Sequence, residues 1–234
     1  MIDVVESSRR GKTQLDWLES YHNFSFGSFY DPENIHFGPI RVLNDDIVQP
    51  DSGFPKHPHN NMEIVTIVLE GELTHEDSSG GRGTITAGEI QRMTAGKGIF
   101  HSEFNNLHDK ATRLLQIWFF PDQQNLTPGY DQRKYDLKET ENKLYKVVGN
   151  DKESGHIFIN QDAELFISNL KKDAEVKHNI KETRGVYIYL ADGNITINDK
   201  QLKKGDAAKI SDESALSIKA EEDSYFVLFD VPLN

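Results

Sequence analysis

The sequence predicts an all-β protein made of two copies of one β-barrel, and three observations carry that expectation. The chain has 234 residues, which suits two domains of about 110 residues better than one. β-rich runs broken by Gly and Pro recur roughly every 8–12 residues, and no window before residue 121 shows the i, i+3, i+4 apolar pattern of a long amphipathic helix. The landmarks of the first half then return in the second. Gly71 recurs as Gly193, 122 residues on; Gly88 as Gly205, 117 on; Pro121 as Pro232, 111 on. A steadily shrinking offset is the mark of one fold repeated with shorter loops.

Residues 1–38 hold Trp17, Tyr21, Phe24, Phe26, Phe29, Tyr30 and Phe37 without a helical period, and Asp31-Pro32-Glu33-Asn34 reads as a turn. Ile64–Leu69 is β-branched and stops at Glu70-Gly71, a strand followed by a turn. Ser78-Ser79-Gly80-Gly81 is a loop, and Thr84-Ile85-Thr86 is a short strand turned by Ala87-Gly88-Glu89. Leu114–Phe120 is a strand ended by Pro121. The second half repeats the rhythm in Val186–Leu190, Asp192-Gly193, Ile195–Ile197, Lys204-Gly205-Asp206 and Phe226–Val231 before Pro232. Residues 121–145 are polar and then charged. The expected division is a barrel over 1–125, a connection over 126–145 with some helix, and a second barrel over 146–234.

Composition removes several classes of function. Cysteine is absent, so disulfide scaffolds, thiol nucleophiles, Fe–S clusters and thiolate zinc sites are excluded. A net charge of −12 and no basic run longer than two residues argue against direct nucleic-acid binding. Ile64–Leu69 and Leu114–Phe120 are too short to span a membrane. The first residues lack the apolar core of a signal peptide, so a cytoplasmic protein is expected. Seven of the nine histidines fall in residues 1–120, which assigns any histidine chemistry to the first barrel.

The sharpest motif is His57-Pro58-His59. Side chains on a strand alternate with period two, so both imidazoles face one side and can act as neighbouring metal ligands. Pro58 suits an edge strand. His101-Ser102-Glu103 repeats the spacing with a carboxylate. Two such pairs on neighbouring antiparallel strands offer three neutral nitrogens and one anionic oxygen. Glu63, four residues after His59, competes with Glu103 for the fourth place. Such a donor set suits Fe(II), Mn(II), Co(II), Ni(II), Cu(II) or Zn(II), and an octahedral ion would keep two positions open for substrate or O₂.

These residues resemble the cupins. Gly53, His57, His59, Glu63 and Gly71 follow the first cupin motif, and Gly88, Gly96, Gly98, His101 and Asn105 the second, with Thr94 in place of its usual Pro. The departures resemble one branch, the pirin family. Its blocks are seen in Asp16-Trp17 through Tyr30-Asp31-Pro32, Arg41–Asp46, Phe54–His59, Met93–Ile99 and Gln116-Ile117-Trp118. The resemblance runs through nearly the whole chain and is greatest to bacterial pirin-like bicupins.

The resemblance implies two tandem jelly-roll barrels packed face to face. It implies one divalent metal in the first barrel, foremost Fe(II), held by His57, His59, His101 and Glu103, with Glu63 not a ligand. The second barrel would have lost its ligands. Asn179 and Lys181 stand where His57 and His59 would, and His178 is expected at the surface. It further implies a quercetinase, a dioxygenase that opens the central ring of flavonols such as quercetin with O₂ and releases carbon monoxide, with Glu103 as general base. The alternative is a metal-dependent regulatory module acting through a protein partner. A monomer is expected. Phe24, Phe26 and Tyr30 either wall a flat substrate pocket or pack the barrel's outer face; the residues alone leave both open.

Overall fold

The structure, a computed structural model, describes residues 1–151 and 155–233. Each of the two barrels has one seven-stranded and one four-stranded sheet. In the first half the large sheet runs Gly129–Lys134, Glu89–Thr94, Glu63–Glu70, Thr112–Phe119, Ile40–Val48, Leu18–His22, Gly11–Gln14. Its small sheet runs Ser52–His59, Ile99–Asn105, Glu72–Asp77, Arg82–Thr86. In the second half the large sheet is centred on Arg184–Asp192 and Ser224–Pro232, with Glu164–Leu170 beyond them. The small sheet there runs Glu175–Asn179, Ala215–Ala220, Asn194–Ile197, Lys200–Lys203. The expected all-β bicupin is thus observed. Helix among the described residues is confined to two short 3₁₀ turns, and no helix there is long and apolar enough to cross a membrane. Gly71 and Gly193 close equivalent turns with φ of 79° and 96°, left-handed values that favour glycine.

The continuous apolar runs have a simple cause. Each large sheet is buried on both faces, so its central strands cannot alternate apolar with polar. On Thr112–Phe119, Leu115, Ile117 and Phe119 face the partner barrel, while Leu114 and Trp118 face the interior of their own. On Arg184–Asp192, Tyr187, Tyr189 and Ala191 join the shared core, while Val186, Ile188 and Leu190 fill the second barrel. The shared core takes Phe24, Leu43, Val65 and Phe119 from one half and Leu165, Tyr187, Val227 and Phe229 from the other.

A charged clamp closes one side of this contact. Arg113 reaches Asp45 through two nitrogens at 2.7 and 3.0 Å, Asp192 at 2.7 Å and the Ala191 carbonyl at 2.9 Å. The Tyr189 hydroxyl donates to Asp45 at 2.7 Å.

Strand partnership departs from the expected division in two places. Ile2–Val5 pairs with Ala207–Ile210, so the chain starts in the second barrel's large sheet. Gly129–Lys134, expected within the connection, pairs with Glu89–Thr94 as the edge of the first. Polar composition misled there because an edge strand has one solvated side. His178 is not a surface residue either. Its Nε2 lies 2.7 Å from Asp230 in a partly buried cluster with Arg184, which local polarity around it does not reveal.

Removing the Arg113 guanidinium leaves Asp45 buried without its cation. Arg113→Ala should cost about 3–5 kcal/mol, read as a lower denaturation midpoint in urea.

Candidate metal centre

His57 and His59 lie on Ser52–His59, the edge strand of the small sheet, where Pro55 and Pro58 interrupt no inner ladder. The neighbouring strand Ile99–Asn105 runs antiparallel with His101 opposite His57. A bulge between His101 and Glu103 sets Glu103 opposite Phe54. Gly53 permits this approach, since a Cβ there would lie 2.2 Å from the Glu103 carbonyl oxygen. The two pairs therefore do lie on neighbouring strands.

The three imidazoles converge. Their ring centroids are 4.4 Å (57–101), 4.8 Å (57–59) and 4.9 Å (59–101) apart, and each offers a nitrogen within 4.8 Å of the others. Glu103 forms a second such group with His101 and His75. Glu63 belongs to neither. It is fully buried at the barrel contact, where Asn160 donates to it from its side chain at 3.2 Å and its backbone at 3.4 Å, with Arg92 4.0 Å away. Glu63 is thereby committed to the neighbouring barrel.

Hydrogen bonds assign the tautomers. His57 Nδ1–H donates to the Pro55 carbonyl at 2.8 Å, leaving Nε2 bare. His75 Nε2–H donates to Asp77 at 3.0 Å, which leaves its Nδ1 to accept from His101 Nδ1–H at 3.3 Å. His101 Nε2 is then bare too, 3.0 Å from His57 Nε2. Two lone pairs facing each other repel, and a cation between them would bind both. Two nitrogens about 2.1 Å from one ion at a right angle would stand about 3.0 Å apart, so the donor set fits a divalent transition metal. Burial, reinforced by the neighbouring imidazoles, pushes His59 down to about 4 and His101 down to about 2, so both are neutral at neutral pH.

Glu103 is buried and held on both oxygens. Gln116 Nε2 donates at 2.7 Å to one; Gln91 Nε2 at 3.0 Å and Thr66 Oγ1 at 3.4 Å donate to the other. Burial first, and the Asp46 carboxylate second, still raise its pKa to about 7 against those bonds.

All four residues line a cavity of about 360 Å³ whose apolar walls include Phe26, Phe54, Ile64 and Trp118. That volume falls in the range of small-molecule sites. The open question about the N-terminal aromatics divides residue by residue. Phe26 lines the cavity and meets Trp118 edge-on at 5.6 Å. Phe24 packs in the shared core, 5.2 Å from Tyr187. Tyr30 is 72% exposed and does neither.

His75 and Asp77 went unnoticed in the sequence. Their own His-x-Asp spacing, on a strand beside His101, was the available signal.

Comparison with known proteins agrees with this architecture. The Pirin family model matches residues 4–119, and the model for the quercetinase C-terminal cupin domain matches residues 146–231. The chain is 41% identical over 232 residues to the quercetin 2,3-dioxygenase of Escherichia coli K12, covering 99% of each. It is 36% identical over 231 residues to a pirin-like protein of Caulobacter vibrioides, covering 98% of this chain and 99% of that one. Among solved structures it is similar to the bacterial pirin YhhW from Escherichia coli in complex with nickel(II), with a TM-score of 0.95, 40% identity and full coverage of both chains. With matches along almost its whole length, the chain belongs to the pirin family.

Proposed function

We propose that the protein is a metal-dependent dioxygenase of the quercetinase type, acting on flavonols such as quercetin with O₂ and releasing carbon monoxide. One observation carries this reading. Bare imidazole nitrogens and a buried carboxylate converge on a cavity with aromatic walls. The 41% identity to a quercetin 2,3-dioxygenase supports it.

His57, His59 and His101 would hold the metal, with Glu103 as the fourth ligand. The bound ion would supply Lewis-acid activation of the flavonol's 3-hydroxyl and 4-carbonyl oxygens and the redox partner that O₂ needs. The chain's residues do the rest. Phe26, Phe54 and Trp118 offer apolar faces to a flat ring system and exclude water from it. Glu103 takes the proton of the 3-hydroxyl, and its raised pKa matches a base working near neutral pH. Gln91 and Gln116 keep its oxygens aimed. His75, fixed by Asp77, holds His101 in the tautomer that presents Nε2.

Protein reloaded separately with Fe(II), Mn(II), Co(II), Ni(II), Cu(II) and Zn(II) should bleach quercetin and take up O₂ with at least one of them. Full loading without turnover by any ion would sink the quercetinase reading.

Metal content separates the two glutamates. His57→Ala and His101→Ala should lose most of the metal, while Glu63→Gln and His178→Ala should retain it; equal loss in Glu63→Gln would overturn the choice of Glu103. His75→Ala should weaken metal affinity about 10–100-fold, measured by competition with a chelator, and unchanged affinity would remove His75 from this role.

A further inference from the structure

One wall of the cavity is polar. Strands Leu18–His22 and Ile40–Val48 pair Ser20 with Asp46 and His22 with Asn44, and all four side chains line the cavity. They are also buried, at 2–4% exposure. Burying such groups is costly without partners, and hydrogen bonds link them. Thr13 Oγ1 donates to His22 Nε2 at 2.9 Å, His22 Nδ1–H donates to the Asn44 side-chain oxygen at 2.9 Å, and the Ser20 hydroxyl donates to Asp46 Oδ1. Asp46 is bonded through one oxygen alone. Among the described residues Ser20 is its one side-chain donor, no ion pair reaches it, and Oδ2 carries no hydrogen bond.

The second barrel provides an internal comparison. It has the same sheet pattern, and the strand Glu164–Leu170, which holds the place of Ile40–Val48, puts Phe166 and Leu170 into that barrel's core with Ser168 between them. The fold therefore does not demand a carboxyl at the middle of this strand. A carboxyl bonded through one oxygen in a buried cavity wall needs a different reason, and a ligand donor supplies one.

We propose that Ser20, His22, Asn44 and Asp46 form a hydroxyl-recognising subsite, in which Asp46 Oδ2 accepts a hydrogen bond from a ring hydroxyl of the substrate. Ser20, held between His22 and Asp46, fixes the carboxyl's orientation. The subsite rests on the quercetinase reading and narrows it. The preferred substrate is a polyhydroxylated aromatic, with one polar group at the imidazoles and a second hydroxyl at this wall, the apolar rings spanning the space between. Either protonation state of Asp46 can accept, since a neutral carboxyl keeps its carbonyl oxygen.

The test compares quercetin with 3-hydroxyflavone, which keeps the 3-hydroxyl and 4-carbonyl but lacks the ring hydroxyls. Binding to the metal-loaded protein is measured without O₂ by quenching of tryptophan fluorescence, and turnover is measured in air. Wild type should bind quercetin about tenfold or more tighter, the scale of a hydrogen bond to a charged group. Asp46→Leu should abolish that preference by weakening quercetin alone, with 3-hydroxyflavone binding and metal content kept. Asp46→Asn, which preserves shape and an acceptor oxygen, should retain part of it and guards against a folding defect in the leucine variant. A merely structural role would weaken both ligands equally. Equal affinity for the two flavonols in wild type, or an undiminished preference in both variants, would overturn the subsite while leaving the quercetinase reading intact. No binding and no turnover of either flavonol would overturn both.

Discussion

The contact between the two large sheets is the constraint on which the rest depends. A sheet with one face on its own small sheet and the other on a second barrel has no solvated face, so apolar side chains must point both ways. This explains Leu114–Phe119 and Val186–Ala191, where neighbouring residues serve different cores. It also explains why a barrel without the metal-binding motif is present at all. Its Tyr187, Val227 and Phe229 form half of the core that holds the first barrel in shape. Asn160 and Tyr189 of that barrel complete the hydrogen bonding of Glu63 and Asp45, two buried acids of the first.

With the scaffold stabilised in this way, the interior of the first barrel can hold groups that would otherwise destabilise it. Three imidazoles, Glu103, Asp46, Gln91 and Gln116 line the interior of the first barrel, where the second barrel's core is largely apolar. Burial keeps His59 and His101 neutral and lifts both acids toward neutral pH, Asp46 and Glu103 each to about 7. Such perturbed groups gather at functional sites because the chemistry needs them there, at a cost in stability that the surrounding core offsets.

Much of this was legible beforehand. Period-two alternation put His57 with His59 and His101 with Glu103, and the absence of cysteine confined any metal to nitrogen and oxygen donors. What stayed hidden depended on partners distant in sequence. Ile2–Val5 reads as any short strand, and its partner is Ala207–Ile210. His178 looks solvated in its polar segment until Asp230 is brought beside it. His75 carries an ordinary His-x-Asp spacing, and its meaning lies in the 3.3 Å contact with His101.

Local pattern by itself therefore determined the all-β class, the duplication and the placing of the candidate metal-binding histidines in the first barrel, because alternation, turn residues and composition are properties of short stretches of chain. Only the tertiary structure separated Glu63, drawn into the barrel contact by Asn160, from Glu103, which lines the cavity. Only it sent Phe24 to the core, Phe26 to the cavity and Tyr30 to solvent. The reason is common to both cases: which face of a strand is interior depends on the sheet packed against it, and that sheet comes from elsewhere in the chain.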